Sequence, residues 1–160
     1  MSKQAGTTNN GSKTEGPKEV VVYGDAKELQ QEVFFDSHRM AADEPTSSGG
    51  TDRGPDPYDL LLSALGSCTS MTLTMYAQSK GLPLQGVTIR LRHSRMHAED
   101  CATCEAEEGK IDQIDLNIEL SGPLSDEQRS HLLEVAERCP VHRTLTSETV
   151  VASWTGGDSS

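Results

Sequence analysis

The hydrophobic and polar positions of this chain change period along its length, and those changes outline its elements. Val20–Tyr23, Glu32–Phe35 and His38–Ala42 are short runs rich in β-branched, aromatic and alternating residues, with turn residues such as Gly24 and Asp36 between them; they predict three strands. From Asp43 to Pro57 (DEPTSSGGTDRGPDP) there is no period, only Gly, Pro, Ser, Asp and Thr. A loop of that length is uncommon in a compact domain, and such loops tend to carry function.

The most hydrophobic segment follows. Over Tyr58–Lys80, Leu61, Ala64, Cys68, Met71 and Met75 recur at alternating three- and four-residue spacing, one face of a helix. Leu60, Leu62, Leu65 and Leu73 broaden that face, so the helix is expected to be buried on most sides. At ~1.5 Å per residue it runs ~35 Å. Gly66, Ser67 and Ser70 leave room for another element to approach, and Gly81 and Pro83 end the helix.

Period two then returns. Val87, Ile89 and Leu91 alternate with Thr88, Arg90 and Arg92; Ile114, Leu116, Ile118 and Leu120 alternate with Asp115, Asn117 and Glu119. The basic outer face of one and the acidic outer face of the other suit antiparallel neighbours. Ser125 with Gln128 three residues on is a capping box that opens a second helix. Its apolar face carries Leu132, Ala136 and Cys139, and Pro140 interrupts it. Thr149–Ser153 predicts a last strand. Strands, long helix, strands, helix and strand make an α+β domain rather than an alternating α/β one.

Composition refines this picture at its ends. Of 160 residues, 34% are hydrophobic and 4% aromatic, lean for a self-sufficient core. Residues 1–17 are expected to be a disordered leader and 156–160 a tail, leaving one domain over 18–155. The start lacks the apolar run of a secretory signal, and no stretch is expected to reach a membrane span, which places the chain in the cytoplasm. A net charge of −11 argues against nucleic acid and anionic membrane as partners, because like charge repels them.

Four cysteines without an export signal point to catalytic, redox or metal roles, or to inert buried thiols, rather than to a disulfide framework. His93, His97, Cys101 and Cys104 stand at spacings of four, four and three. They leave three readings open: four zinc ligands, a local redox dithiol, or no ligand role at all in a heavily acidic loop. No metal and no cofactor is assigned. Cys68 lies on the buried helix and Cys139 at a helix break, with His142 and Arg143 close enough in sequence to tune the second thiol. Spacing alone does not show that the two cysteines meet.

The run Gly-Pro-Asp-Pro-Tyr-Asp-Leu-Leu-Leu-Ser-Ala-Leu-Gly-Ser-Cys-Thr-Ser-Met-Thr-Leu (54–73), with Cys-Pro-Val-His-Arg-Thr-Leu (139–145), resembles the OsmC/Ohr family. The resemblance covers about residues 20–155. It is nearest to the branch also found fused behind an α/β-hydrolase, whose pattern includes Ala-Asp-Glu-Pro (42–45) and Asp-Cys-Ala-Thr-Cys-Glu (100–105). It implies an OsmC-like fold, with antiparallel sheets around long central helices in an intertwined homodimer and active sites at the dimer interface. It also implies a thiol peroxidase that reduces organic hydroperoxides, with Cys68 peroxidatic and Cys139 resolving, and an external dithiol, lipoyl-type in the family, as reductant.

A free thiol titrates near pH ~8.5, and a cation within ~4–6 Å lowers that by ~1–3 units. The thiolate attacks peroxide, becomes a sulfenic acid, and condenses with the second thiol. In the family pattern an arginine before the loop and a glutamate after the proline preceding the central helix assist. Arg39 is the first candidate for the cation and Arg53 the second. Tyr58 follows Pro57 where the glutamate is expected, and Asp59 is the nearest acid, nine residues before Cys68 and on the opposite face of a straight helix. An apolar pocket of Leu61, Leu65 and Met71 is expected to draw in the peroxide. The alternative is a non-catalytic binding or metal-binding domain on the same fold.

Overall fold

The computed structural model describes residues 19–97 and 109–155. The expected leader and tail, and Cys101 and Cys104, lie outside the described residues. The chain divides between Asp56 and Pro57 into two compact units.

The first unit is a three-stranded antiparallel meander, β1 (Val21–Gly24), β2 (Gln31–Phe35) and β3 (His38–Ala42), in the order β1-β2-β3. Val33 is buried and stands opposite Val22 and Met40. Asp36 takes the tight β2–β3 turn with φ of 49°, a left-handed conformation that a short polar residue tolerates. The long loop is organised by one carboxylate. Asp43 accepts hydrogen bonds from the backbone N–H groups of Glu44, Thr51 and Arg53 and from the Thr51 hydroxyl, the last at 2.7 Å. The Thr51 hydroxyl leads the interactions that hold the Asp43 carboxyl below its ordinary value, against the opposing effect of burial and with smaller help from the three backbone donors. Residues 44–53 thus wrap an anion instead of a hydrophobic core.

The second unit begins at α1 (Pro57–Lys80), 24 residues long. Pro57 suits the first helical position, where a missing N–H costs nothing. Gly81, at φ of 62°, takes the left-handed conformation just past the end, while the Leu82 N–H closes on the Ala77 carbonyl at 2.9 Å. β4 (Gly86–His97) and β5 (Lys110–Ser121) form one antiparallel ladder with Val87 opposite Leu120, Ile89 opposite Ile118 and Leu91 opposite Leu116. The outer faces pair as their charges require: Arg90 with Glu119 and Arg95 with Asp112. α2 (Asp126–Ala136) opens on the Ser125–Gln128 capping box, with both reciprocal hydrogen bonds made. Leu73, Leu124, Leu132, Val135 and Ala136 form the core, with Val87, Ile118 and Leu120 packed against it.

Four expectations are corrected. The buried stripe of α1 is Leu65, Gly66, Thr69, Leu73 and Ala77, spaced at one, three and four residues. The face of Ala64, Cys68, Met71 and Met75 is turned outward, with Met71 64% and Met75 69% exposed. α1 is apolar nearly all round, and the stripe that packs includes Gly66, against which the Leu91 side chain of β4 closes. The expected pocket of Leu61, Leu65 and Met71 therefore does not form within the chain, since Leu65 is in the buried stripe and Met71 in the exposed one. α1 is also long and apolar enough, by length and composition, to cross a membrane, contrary to expectation. Residues 149–153 form no strand: Val150, Val151 and Trp154 are over 80% exposed, and no ladder partner meets them among the described residues. Apolar alternation yields a strand only where another backbone answers its N–H and C=O groups.

Candidate active site

Pro140 starts a helix as well as ending one. After α2 the chain turns through Cys139, at φ −54° and ψ 130°, into the short α3 (Pro140–Leu145). The preference of a residue before proline for extended backbone fixes this corner. Val135 and Ala136, anchored in the core, carry Cys139 inward until it is fully buried. α3 packs on α1, and the Cys139 sulfur comes within hydrogen-bonding reach of the Cys68 thiol. Two sulfurs 71 positions apart in sequence are thus neighbours in space, and both are free thiols. Cys68 is partly exposed and Cys139 is not.

The groups around the pair are donors. The Thr69 hydroxyl, wholly buried, lies 2.9 Å from the Leu65 carbonyl and also within reach of Cys139. Its one hydrogen serves one acceptor at a time. The Thr72 hydroxyl stands in the same relation to the Cys68 carbonyl, at 2.8 Å, and to the Cys68 sulfur. α3 has no side-chain cap hydrogen bond of ordinary length, so the N–H groups of His142 and Val141 act on Cys139 as the weaker N–H···S contacts. Within α3, the ring Nδ1 of His142 is buried with no hydrogen-bond partner among the described residues.

These donors split the pair. Burial, then the Cys139 thiol, pushes Cys68 above the ordinary cysteine value, against weaker pulls from the Val141 N–H and Thr72. Burial also pushes Cys139 up, but hydrogen bonds from Cys68, the His142 N–H, Thr69 and the Val141 N–H together outweigh it and leave Cys139 below that value.

The other predicted residues lie on the following elements. Arg39 is exposed on β3 in the first unit, opposite Phe34, and Arg53 lies in the loop, its guanidinium 3.5 Å from Gln30. Asp59 is in the first turn of α1. It lines an open groove of about 410 Å³ with Leu62, Gly66, Ser70, Ile89 and Leu91, on the side of the helix away from Cys68. An unbroken α1 does not bring Asp59 and Cys68 together. Of the second cluster, His93 and His97 are on β4, and no group able to hold a metal is present among the described residues.

Sequence reasoning missed what His93 does. Its ring stacks on Tyr58 with centroids 4.2 Å apart, and its Nε2 is 2.8 Å from Asp112, which also accepts from Arg95 at 3.1 Å. The hydrogen bond to Tyr58, then Asp112, raises Arg95; His93, then Arg95, lowers Asp112. The residue after Pro57 is thus tied to the β4–β5 ladder. Thr69 and Thr72 were missed as well, though the run Cys-Thr-Ser-Met-Thr placed hydroxyls one and four residues after Cys68, both near it on a helix.

A family model described as OsmC-like protein matches residues 50–153, more than half of the chain. No curated protein matches the chain at a significant level. Among solved structures, the fold is shared with an OsmC-like protein from Mycoplasma pneumoniae, at 22% identity and a TM-score of 0.64, over 82% of this chain and 88% of that one. It is shared with the organic hydroperoxide resistance protein OsmC from Legionella pneumophila, at 17% identity and a TM-score of 0.60, over 82% and 90%. OhrB of Bacillus subtilis, an organic hydroperoxide resistance protein, aligns at 18% identity and a TM-score of 0.56, over 82% and 91%. At these identities the likeness shows the fold alone.

Proposed function

Because the chain belongs to the OsmC-like protein family, we propose that it is a thiol-dependent peroxidase that reduces organic hydroperoxides through Cys68 and Cys139. The observation that carries this reading is the contact between the two thiols. A partly exposed sulfur beside a buried one suits a division of labour. The Cys68 sulfur attacks the peroxide, the O–O bond breaks, the alcohol leaves, and Cys68 becomes a sulfenic acid. Cys139 attacks that sulfur, the oxygen leaves as hydroxide, and a disulfide remains. An external dithiol, lipoyl-type by family resemblance, reduces it by exchange. Arg39 as cation and Asp59 as acid are roles carried by resemblance only; within one chain Asp59 is on the far face of α1 from Cys68.

The same reading makes the protein a cytoplasmic homodimer. The exposed Met71 and Met75 beside Cys68 and the exposed Val21, Val22 and Tyr23 of β1 are surfaces that a second copy would cover. Light scattering on the eluted protein tests it: a mass near 17.3 kDa overturns the dimer.

Peroxidase activity is tested by following cumene hydroperoxide with dihydrolipoamide as reductant. Wild type should turn over and Cys68→Ser should not; equal rates end the proposal. One observation favours a second reading, a non-catalytic binding domain: Cys68 is raised rather than lowered, which makes it a poor unaided nucleophile. That reading predicts no loss of two thiols per chain after one equivalent of peroxide.

A further inference from the structure

Of the polar side-chain atoms buried among the described residues, one lacks a hydrogen-bond partner: the Nδ1 of His142. Leaving a buried polar atom unpaired costs free energy, and a ligand that arrives to bond it removes that cost. We propose that His142 is a substrate-binding residue of the thiol site, its Nδ1 accepting the hydrogen of the hydroperoxide O–O–H group and holding the outer oxygen for Cys68. The inference rests on the peroxidase reading and adds a residue to it.

The place of the ring follows from how α3 begins. Cys139 is the N-cap and Pro140 the first helical residue, so His142 is the third. An N-cap residue and the residue three positions on lie close enough to bond each other's backbone, as Ser125 and Gln128 do at the start of α2. His142 is therefore on the side of α3 that carries the fully buried Cys139. Its backbone is fixed in both directions. The Arg143 N–H closes on the Cys139 carbonyl at 3.0 Å, and the Thr146 N–H and hydroxyl close on the His142 carbonyl at 3.0 and 2.9 Å. α3 packs on α1, the helix that carries Cys68. His142 is only half-buried as a residue, although its Nδ1 is covered. A half-open residue with a covered, unpaired nitrogen beside a thiol suits a small ligand that enters from solvent.

The chemistry selects the ligand. A neutral imidazole has one acceptor nitrogen, and with the ring hydrogen on Nε2 that acceptor is Nδ1. A hydroperoxide brings the matching donor, an O–H on the very oxygen that sulfur attacks. The Cys68 thiolate forms an S–O bond to that oxygen with two electrons from sulfur, and the O–O bond breaks. The departing alkoxide takes a proton from water and leaves as alcohol. The O–H hydrogen stays on its oxygen and becomes the sulfenic acid hydrogen, so Nδ1 can hold it before and after. Sulfur is oxidised and peroxide reduced by two electrons.

The experiment tests the atom rather than the residue. Asparagine places its amide where Nδ1 stands, whereas glutamine places its amide where Nε2 stands. In full-length reduced protein with dihydrolipoamide, kcat/KM for cumene hydroperoxide should fall about tenfold in His142→Gln, the effect of one hydrogen bond. In His142→Asn it should stay within about threefold of wild type. Methyl methanethiolsulfonate reacts with thiols but carries no N–H or O–H, so it should modify Cys68 at the same rate in all three proteins, read by mass spectrometry. A His142→Gln value equal to wild type, equal losses in both variants, or a matching fall toward the thiolsulfonate overturns the inference alone. A wild type that consumes no peroxide is a different result: it fails the peroxidase reading, and this inference with it. Should a variant lose its native circular dichroism, Cys68→Ser labelled with ¹⁵N-histidine decides. Cumene hydroperoxide should move the His142 Nδ1 resonance, and a resonance unmoved up to the solubility limit of the peroxide overturns the inference.

Discussion

Oxidising the Cys68–Cys139 pair should stabilise the second unit by an amount that can be worked out beforehand. The sulfurs are already neighbours, so the bond requires little rearrangement of α1 against α3. It would close a loop of 71 positions. In the chain-entropy account such a loop removes enough freedom from the unfolded state to be worth ~4 kcal/mol at 25 °C. Adjusting two hydrogen-bonded thiols to disulfide geometry offsets part of that, leaving ~2–4 kcal/mol. With a urea m-value of ~2 kcal/mol/M, the unfolding midpoint should rise by ~1–2 M. The assay compares protein kept in dithiol with protein given one equivalent of cumene hydroperoxide, at one fixed protein concentration so that association does not shift the result. Cys139→Ser treated identically should show no rise. A midpoint unchanged after two thiols per chain have disappeared, with no chain-to-chain crosslink on a non-reducing gel, would refute the reasoning.

Other consequences are separately testable. Leu132, fully buried between α2 and the α1 stripe, should cost ~2–5 kcal/mol when cut to alanine, read by urea unfolding; a loss under ~1 kcal/mol would mean the core is elsewhere. Ser125→Ala removes the hydroxyl that accepts from the Gln128 N–H and should cost ~1 kcal/mol by the same measurement, with no change in thiol reactivity. The Asp43 carboxyl, held below its ordinary value of 3.8 by Thr51, contributes stability that is complete above that pH and lost as pH falls through its lower folded value. Hydrogen exchange over residues 44–53 should therefore quicken on acidification beyond the intrinsic rate change. Asp43→Asn should show the quickened exchange at neutral pH, and unaltered protection there would contradict the role.

Much of this fold is legible in the sequence because its elements obey one local rule at a time. β3 has the bounds that the short run after the Asp36 turn predicts, and the capping box at Ser125 marks the start of α2. The antiparallel pairing of Val87–Arg92 with Ile114–Leu120 followed from charge and period. The ladder is longer than expected because Met96, opposite Ile111, is the sole apolar residue of His93–His97, so alternation fades there while Tyr58 and Asp112 hold His93 and Arg95 in register. α3 was missed because Pro140 reads equally well as the end of one helix and the start of the next. The face of α1 was misjudged because periodicity shows that a helix has apolar stripes without showing which of them finds a partner.

The candidate site shows the same limit at the scale of single atoms. Two cysteine motifs could be read directly, yet their relation depends on where α3 turns, which is set by Val135 and Ala136 in the core and by the backbone before Pro140. Once the sulfurs meet, their division of charge depends on hydroxyl and amide hydrogens that sequence periodicity does not reveal. Thr69 is the clearest case. By period it is a polar interruption in an apolar stripe, and an unexplained one, since a buried hydroxyl costs free energy unless it is bonded. Returning its hydrogen to Leu65 satisfies that requirement, but so would replacing the hydroxyl with a methyl group. A hydroxyl at this fully buried α1 position therefore stands beside the thiol pair as a hydrogen-bonding group, where helix packing alone asks only for volume.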